Sequence, residues 1–381
     1  MKKIVTLAVA VLTSASVLSQ AASARPALQG IRLDDRSHWK PVFVTAPAHG
    51  VDWRTLPAQA ASGSTLPYYS NSIVSPLDGK TYNYSILGTD PTKTPASTTI
   101  EYVPLALRIT FPGGVVLDPT KPGCGDTVSV VDRFYKSPLF DSVALTSNGV
   151  NVGTTQYVDG HMRAEFWNYV GGSGYHVLLK KAKRKVKVID VTAPTGSSAV
   201  SGGCSGSGHD LGEIPYGAYT NLIENEANKY ATTGQLPVLL AYNVVQTEGN
   251  QCCIIGFHGA YGRSGGTQVY ATGSYTDPGE FGAIEDIYAW THEIGEAFND
   301  PFTNNGTPAW GHVGQVSGCQ NNLEVGDPLT GSTAVSLPLH GFTYHAQELA
   351  FFDWFFRTPS NGTGGYYSFE GSFKTAQGAC T

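Results

Sequence analysis

The segment from Ile287 to Pro301 contains a histidine and two glutamates whose spacing suits metal binding and proton transfer. His292 and Glu296 are four residues apart, so on a helix they share one face, and Glu293 lies beside that face. A histidine and a carboxylate one turn apart can hold a zinc ion, and the adjacent carboxylate can take a proton from water on it. The alternative is an ordinary exposed helix pair without a metal.

The same segment carries the signals of the helix that must position these residues. Ile287, Ile294 and Phe298 fall on one stripe at helical spacing, which is typical of a half-buried helix. Pro301 should end the helix because proline has no backbone N–H to donate. The sequence therefore predicts one helix that presents the three candidate side chains together.

A catalytic zinc site normally has three protein ligands and one open position, so one ligand must come from elsewhere. Asp300 would lie about 12 Å from His292 along a straight helix, which is too far for one ion. The segment 319–328 offers Glu324 and Asp327. We predict Glu324, because its apolar neighbours should pack the other way in an extended segment, with Asp327 as second choice. Ordinary turn chemistry is the alternative for both.

Other histidines are weaker candidates for a chemical role. His258 follows a predicted strand and would line the cleft, and His345 could donate to a developing oxyanion. Core or capping roles are equally open for both and for His312. His161 and Glu165 are also four residues apart, but they lack an adjacent base and a supporting motif. We predict that this second pair lies on the surface.

Residues 1–24 have the features of a secretory signal peptide. Lys2 and Lys3 precede a short apolar run, and a small-x-small pattern predicts cleavage before Arg25. A membrane anchor is disfavoured because the run is short and interrupted by Thr and Ser. The protein is therefore predicted to be exported, to the extracellular space or the periplasm.

Charge and hydropathy narrow the set of partners. Removing residues 1–24 takes away two lysines and no acidic residue, so the net charge moves from −6 to −8. This negative charge does not indicate a binding surface for nucleic acid or anionic lipid. No later stretch is long and apolar enough to span a bilayer. The expected partner is a peptide or protein substrate or a cell-surface polymer, and the sequence leaves the oligomeric state open.

Six cysteines in an exported chain predict up to three disulfides, and their pairing has 15 possible patterns. Cys252 and Cys253 are adjacent, so on a regular strand their side chains should point to opposite faces. We therefore predict that these two cysteines have different partners.

Hydrophobic patterning predicts an α+β fold in which a β-rich N-terminal region precedes an HExxH-metallopeptidase-like α/β subdomain with an active-site helix. A Ser/Gly-rich passage at 192–208 is the predicted domain boundary. The predicted parts are a signal peptide at 1–24, an extended arm or pro-segment at 25–65, a β-rich domain at 66–200, and the metallopeptidase-like domain at 205–381.

A family resemblance rests on His292 to Glu296, Asp300-Pro301, Trp310, and the segment from Asn322 to Asp327. This block resembles secreted, mostly uncharacterised zinc-metallopeptidase-like proteins with an HExxE…DP…W…ExxD signature. The segment 256–259 is faintly similar to plant EXORDIUM/phosphate-induced secreted proteins. The first resemblance implies a zinc site. A glutamate in place of the second histidine makes that site more anionic and weakens acidification of its water.

Two functions from different classes follow. The first is an exported zinc-dependent hydrolase, most simply a peptidase, in which His292, Glu296 and Glu324 hold the metal and Glu293 is the general base. The second is a non-catalytic secreted binding protein of a cell wall or matrix, with a structural metal or none. A structural site would have four protein ligands, whereas a catalytic site keeps one position open.

Overall fold

A computed structural model describes residues 40–51, 63–204, 209–249 and 251–381. The predicted signal peptide at 1–24 lies outside these residues, as does most of the predicted arm. Among the described residues, no helix has the length and apolar character needed to cross a membrane.

Among the described residues strand outweighs helix, at 44% against 17%, so sheet packing determines the architecture. The strands are β1 (Val42–His49), β2 (Tyr68–Val74), β3 (Thr81–Leu87), β4 (Ser97–Thr110), β5 (Val116–Leu117), β6 (Val143–Ser147), β7 (Val150–Thr155), β8 (His176–Lys181), β9 (Lys187–Thr192), β10 (Ser198–Val200), β11 (Leu211–Pro215), β12 (Leu236–Tyr242), β13 (Val244–Glu248), β14 (Gln251–Arg263), β15 (Gly266–Phe281), β16 (Ile284–Asp286), β17 (Gly306–Val313), β18 (Val316–Asn322), β19 (Val335–Leu339) and β20 (Phe342–Ala346). The helices are α1 (Val130–Tyr135), α2 (Tyr157–Glu165), α3 (Trp167–Val170), α4 (Tyr216–Tyr230), α5 (Tyr288–Asn299) and α6 (Phe352–Phe356).

Twelve strands of the described chain form one mixed sheet. Its main path runs β10-β11-β13-β14-β15-β12-β4-β5, and β1, β16, β8 and β9 pair beside that path. The β4–β12 and β12–β15 pairs are parallel, whereas β14 and β15 form an antiparallel pair. Hairpins β2–β3, β6–β7, β17–β18 and β19–β20 lie outside the sheet.

The predicted fold class is wrong. It separated a β-rich N-terminal region from an HExxH-metallopeptidase-like α/β subdomain, but β4 pairs with β12 across the predicted boundary, with Leu105 opposite Leu239. One sheet therefore takes strands from both regions, and α5 packs on this shared sheet rather than in a separate subdomain. The error has a physical cause, because apolar runs identify strands but do not identify their partners.

Both faces of the central sheet are covered. Val238 and Leu240 belong to the hydrophobic core that contains Trp290 of α5. Leu239, between them, belongs to the second core, together with Tyr219 of α4. The two cores occupy opposite faces because successive side chains on a strand alternate. Burial on both faces also explains why β12 is a continuous apolar run.

Several local predictions are confirmed. A helix follows Pro215, and the predicted strands that begin near Leu236, Cys252 and Gln268 correspond to β12, β14 and β15. The helix predicted for 347–357 is much shorter, because only the five residues of α6 are helical there.

Three disulfides are present, as the cysteine count predicts: Cys124–Cys204, Cys252–Cys253 and Cys319–Cys380. The prediction that the adjacent cysteines have different partners is wrong, because they bond to each other. Their Cα atoms are 3.0 Å apart, shorter than the 3.8 Å spacing of a regular strand. The assumption of regular strand geometry therefore fails at this pair.

The described part of the predicted arm includes strand β1. It pairs in parallel with β14, placing Val44 opposite Phe257 and Thr45 opposite His258. Strand β13 pairs with β14 only up to Ile254. Strand β1 therefore occupies the remaining length of that edge of β14.

Candidate metal centre

Three parts of the chain bring the candidate residues together. Helix α5 lies against β14 and β15 of the sheet and also contacts β3, β20, β16 and α2. The predicted helix is present, but all twelve of its residues are buried, whereas the sequence predicted a half-buried helix. The titratable side chains of the cluster are all buried and come from α5, from β14 and from the segment after β18: His258, His292, Glu293, Glu296, Glu324 and Asp327.

His292, Glu296 and Asp327 form one ligand group within this cluster. The Nε2 atom of His292 lies 2.9 Å from Oε1 of Glu296 and 3.5 Å from Oδ1 of Asp327. One ligand atom from each residue lies within 4.8 Å of the others. Asp327, the second choice from the sequence, therefore completes this group with the two residues of α5.

Glu324 lies next to this group but has other partners. Its Oε1 accepts hydrogen bonds from Thr45 Oγ1 at 2.7 Å and from Asn322 Nδ2 at 2.9 Å. Its neighbours Leu323 and Val325 pack in the core, as the sequence predicts. The geometry thus favours Asp327 as third ligand, and the assignment of Glu324 stays a prediction.

The imidazole of His292 is oriented by Gln347 and by a close backbone contact. Gln347 donates through its amide nitrogen to the carbonyl of Gly326, so its Oε1 is free to accept. Nδ1 of His292 donates to that oxygen at 2.9 Å, which leaves Nε2 as the metal-facing atom. A Cβ at Gly326 would lie 2.3 Å from Nδ1, so only glycine allows the loop to approach the ring this closely.

The carboxylate of Asp327 is oriented by two glutamines. Gln320 donates to Oδ2 at 2.9 Å, and Gln315 donates to Oδ1. The backbone N–H of Gly326 donates to Oε1 of Glu296 at 3.1 Å. These outer contacts hold both carboxylates in place, as is common around metal ligands.

Glu293 and His258 lie on the other side of Glu296. Nδ1 of His258 is 3.3 Å from Oε2 of Glu293 and 3.6 Å from Oε2 of Glu296. These three residues form a second group with metal-binding spacing. A Cβ at Gly256 would lie 2.9 Å from Oε1 of Glu293, so a glycine on β14 makes room for this carboxylate.

Four buried polar atoms of the cluster make no hydrogen bond, although one of them, Nε2 of His292, lies 2.9 Å from Oε1 of Glu296: Nε2 of His258, Nε2 of His292, Oε1 of Glu293 and Oε2 of Glu324. Unpaired buried polar atoms are uncommon and costly. A divalent cation would give such lone pairs a partner and would offset the charge of the carboxylates. The cluster therefore fits a metal site better than a set of ordinary core residues.

Burial and like charge shift the proton affinities in the cluster. Burial raises the pKa of Glu293, Glu296 and Glu324 well above the usual range, and neighbouring carboxylates raise it further, although His292 lowers that of Glu293. Burial lowers the pKa of His258 to about 3, with a further contribution from His292. Burial also lowers the pKa of His292, but Asp327 and Glu293 outweigh it and raise the net value.

Asp300 is not part of either ligand group. Its carboxylate accepts the backbone N–H groups of Asn304 at 2.9 Å and Asn305 at 3.0 Å. It therefore stabilises the turn after α5, in agreement with the sequence argument that it lies too far along the helix.

The remaining histidines lie in other contexts. The prediction that His161 and Glu165 lie on the surface is wrong, because both are fully buried. Contacts from β7, β8 and α5 cover their helix, and a two-residue spacing rule cannot foresee such covering. His345 belongs to a separate group with Glu285 and Asp286, and His312 is exposed. The oxyanion role of His345 stays a prediction.

Four residues with central contacts were missed from the sequence: Phe43, Thr45, Gln315 and Gln347. The run of β-branched and aromatic residues at 42–45 is a strand signal that could have been recognised in the arm. No local signal marks Gln347, because its role depends on long-range packing.

No protein-family model, curated protein or solved structure matches this chain. The resemblance to secreted metallopeptidase-like proteins therefore rests on the motif residues alone, and the argument for function rests on the cluster.

Proposed function

We propose that this chain is an exported, zinc-dependent hydrolase that cleaves peptide bonds. The observation that carries the proposal is the buried group of His292, Glu296 and Asp327, whose ligand atoms lie within 4.8 Å of one another, with Glu293 beside it. Three disulfides support export, since such bonds persist in oxidising compartments.

Each residue has a separate task in this proposal. His292, Glu296 and Asp327 hold the zinc, which supplies Lewis-acid polarisation of the substrate carbonyl when bound. Glu293 accepts a proton from the attacking water and passes it to the leaving amine. The unpartnered Oε1 of Glu293 is the atom available for this transfer, since Oε2 faces His258.

A structural metal in a non-catalytic binding protein is the second candidate. The observation in its favour is that every ligand candidate is buried. In that case His258 or Glu293, which form a second group with Glu296, would add a ligand and close the coordination sphere, as structural sites do. The two candidates differ in whether Glu293 binds the metal or moves protons.

Glu293→Gln distinguishes the two candidates. As general base, Glu293 should be needed for turnover but not for metal retention, so the rate on a peptide-library substrate should fall by about 10²–10⁴-fold while zinc content stays unchanged. Glu165→Gln, in the other buried pair, is the matched control and should retain full activity. Normal turnover by Glu293→Gln would remove this residue from the mechanism, and loss of zinc would favour the structural site.

A further inference from the structure

Strand β1 covers the candidate site with side chains as well as backbone. The ring of Phe43 stacks on the imidazole of His292, with centroids 3.7 Å apart and planes 18° apart. Two residues later, the hydroxyl of Thr45 donates to Glu324 at 2.7 Å. Phe43 and Thr45 share one face of the strand, as alternation requires.

Gln315 joins the backbone of β1 to the ligand group. Its Oε1 accepts the N–H of Phe43 at 2.9 Å, and its Nε2 donates to the carbonyl of Phe43 at 2.9 Å. The same Nε2 donates to the carboxylate of Asp327. A side-chain amide that forms hydrogen bonds with both the N–H and the C=O of one residue can bind extended peptide backbone, whatever side chain that residue has.

The backbone pairing of β1 with β14 is also a type of contact by which proteins bind peptides. Its backbone pairs with β14 at Phe257 and His258, directly beside the cluster. Adding a strand to a free sheet edge is a general way in which proteins bind extended peptides. Residues 40–51 contain no acidic side chain, which suits a site rich in buried carboxylates.

We propose that β1 is an internal ligand that occupies the groove for an extended peptide substrate. The external ligand is a non-acidic peptide strand that pairs with β14 and places an aromatic side chain over His292. Displacement of β1 opens the site, so the structure represents the closed form of the enzyme. This inference rests on the proposed hydrolase function, because it identifies the substrate class and the regulation of that same site.

The test weakens the contacts of β1 with the site without removing the strand. The variant Phe43→Ala/Thr45→Val loses the ring over His292 and the hydrogen bond to Glu324. Val44→Ala is the matched control, because Val44 lies between the two residues and packs against the core on the other face of the sheet.

Two measurements are made on the full-length variants. The first is the rate at which a chelator removes zinc. The second is modification of His292 by diethyl pyrocarbonate in metal-free protein, read by mass spectrometry, with exposed His340 and buried His161 as references. We expect both rates to rise by about tenfold or more in the double variant and to be unchanged in Val44→Ala.

A synthetic peptide with the sequence of residues 40–51 completes the test. Added to the double variant, it should restore protection of His292, whereas the same peptide with Phe43→Ala should not. If the double variant does not fold, the single variant Thr45→Val is used instead. Valine has nearly the same shape as threonine, so this change removes only the hydrogen bond to Glu324. The rates of zinc removal and of His292 modification should both still rise.

The outcomes separate this inference from the proposed function. Equal labelling of His292 in the double variant and in Val44→Ala would overturn the inference and make β1 a permanent structural strand. Absence of zinc from every variant would overturn the proposed function, while the labelling result would still decide whether β1 closes the site.

Discussion

The chain has two buried histidine–glutamate pairs with the same helical spacing, and only one of them has the surroundings of a metal site. In α2, Nδ1 of His161 lies 3.9 Å from Oε1 of Glu165. In α5, Nε2 of His292 lies 2.9 Å from Oε1 of Glu296. Oδ1 of Asp327 lies 3.5 Å from the same Nε2 atom. Both helices are buried, so burial does not distinguish the pairs.

The pairs differ in what the rest of the fold brings to them. His161 contacts the carbonyl of Ala350 at 3.1 Å, and Glu165 accepts the N–H of Phe352 at 3.1 Å. Each also has one buried atom without a hydrogen-bond partner, as the residues of the α5 cluster do. Among the described residues, however, no third ligand atom forms a group with this pair.

The number of buried carboxylates is the other difference between the two sites. Burial lowers the pKa of His161 to about 4 and raises that of Glu165 well above its usual range, and both shifts favour the neutral forms of the two side chains. A neutral pair can remain buried without a counter-ion. The α5 cluster gathers several carboxylates around Glu296, and a divalent cation is the natural partner for that many buried acids. A two-residue spacing motif therefore indicates a site only when a distant segment adds further ligands.

The first prediction uses the two long-range disulfides, one of which spans the α2 pair in sequence while the other spans the loop that carries the third ligand of the α5 site. Cys124–Cys204 encloses the α2 pair, and Cys319–Cys380 encloses Asp327. Replacing either pair of cysteines by serine should lower the free energy of unfolding by about 2–5 kcal/mol, measured by chemical denaturation.

Only loss of Cys319–Cys380 should also weaken zinc binding in chelator competition, because the enclosed segment carries a ligand. Equal zinc affinity in the two disulfide variants would show that the ligand loop is held by other contacts.

The second prediction concerns pH and the α2 pair. Because the folded-state pKa of His161 is about 4 against an ordinary 6.5, its neutral form stabilises the fold above pH 6.5, and this stability is lost as pH falls towards 4. Glu165 acts in the opposite direction, since a raised pKa makes its contribution disappear as pH rises.

In His161→Gln, the acid-side loss of unfolding free energy between pH 6.5 and 4 should be smaller than in the parent chain by about 3 kcal/mol. Urea denaturation across this pH range measures the difference. Parallel stability curves for the two proteins would mean that His161 titrates normally and is not held neutral by burial.

The third prediction has the smallest effect and concerns Gln347, which accepts from Nδ1 of His292. Gln347→Ala should weaken zinc binding by about 10–100-fold, because an oriented ligand becomes free to rotate. Gln156→Ala removes a buried glutamine that bonds the backbone next to α2, and it should leave zinc affinity unchanged. Chelator competition on both variants gives the comparison, and equal affinities would show that Gln347 does not orient the ligand.

The sequence could predict the local parts of the site but not its assembly. The spacing of His292, Glu293 and Glu296 and the apolar stripe of α5 are short-range signals, and the helix forms where they indicate. The choice of Asp327 over Glu324 depends on how a loop packs against α5. The contact from Thr45 to Glu324 joins residues 279 positions apart, and no periodicity carries such information.

The prediction of the fold class was wrong for the same reason. Each central strand is apolar enough to be recognised, but the parallel pairing of β4 with β12 joins two regions that composition separates. Two-sided burial makes such strands alike in sequence, so their order in the sheet has no local signature.

Metal analysis of the purified protein and two matched variants tests the central claim most directly. The parent chain and His161→Ala should each retain about one equivalent of zinc after purification without chelators, and His292→Ala should lose it. Less than about a tenth of an equivalent in the parent chain would contradict the account. Equal loss in both histidine variants would also contradict it, because the two buried pairs would then not differ as the structure indicates.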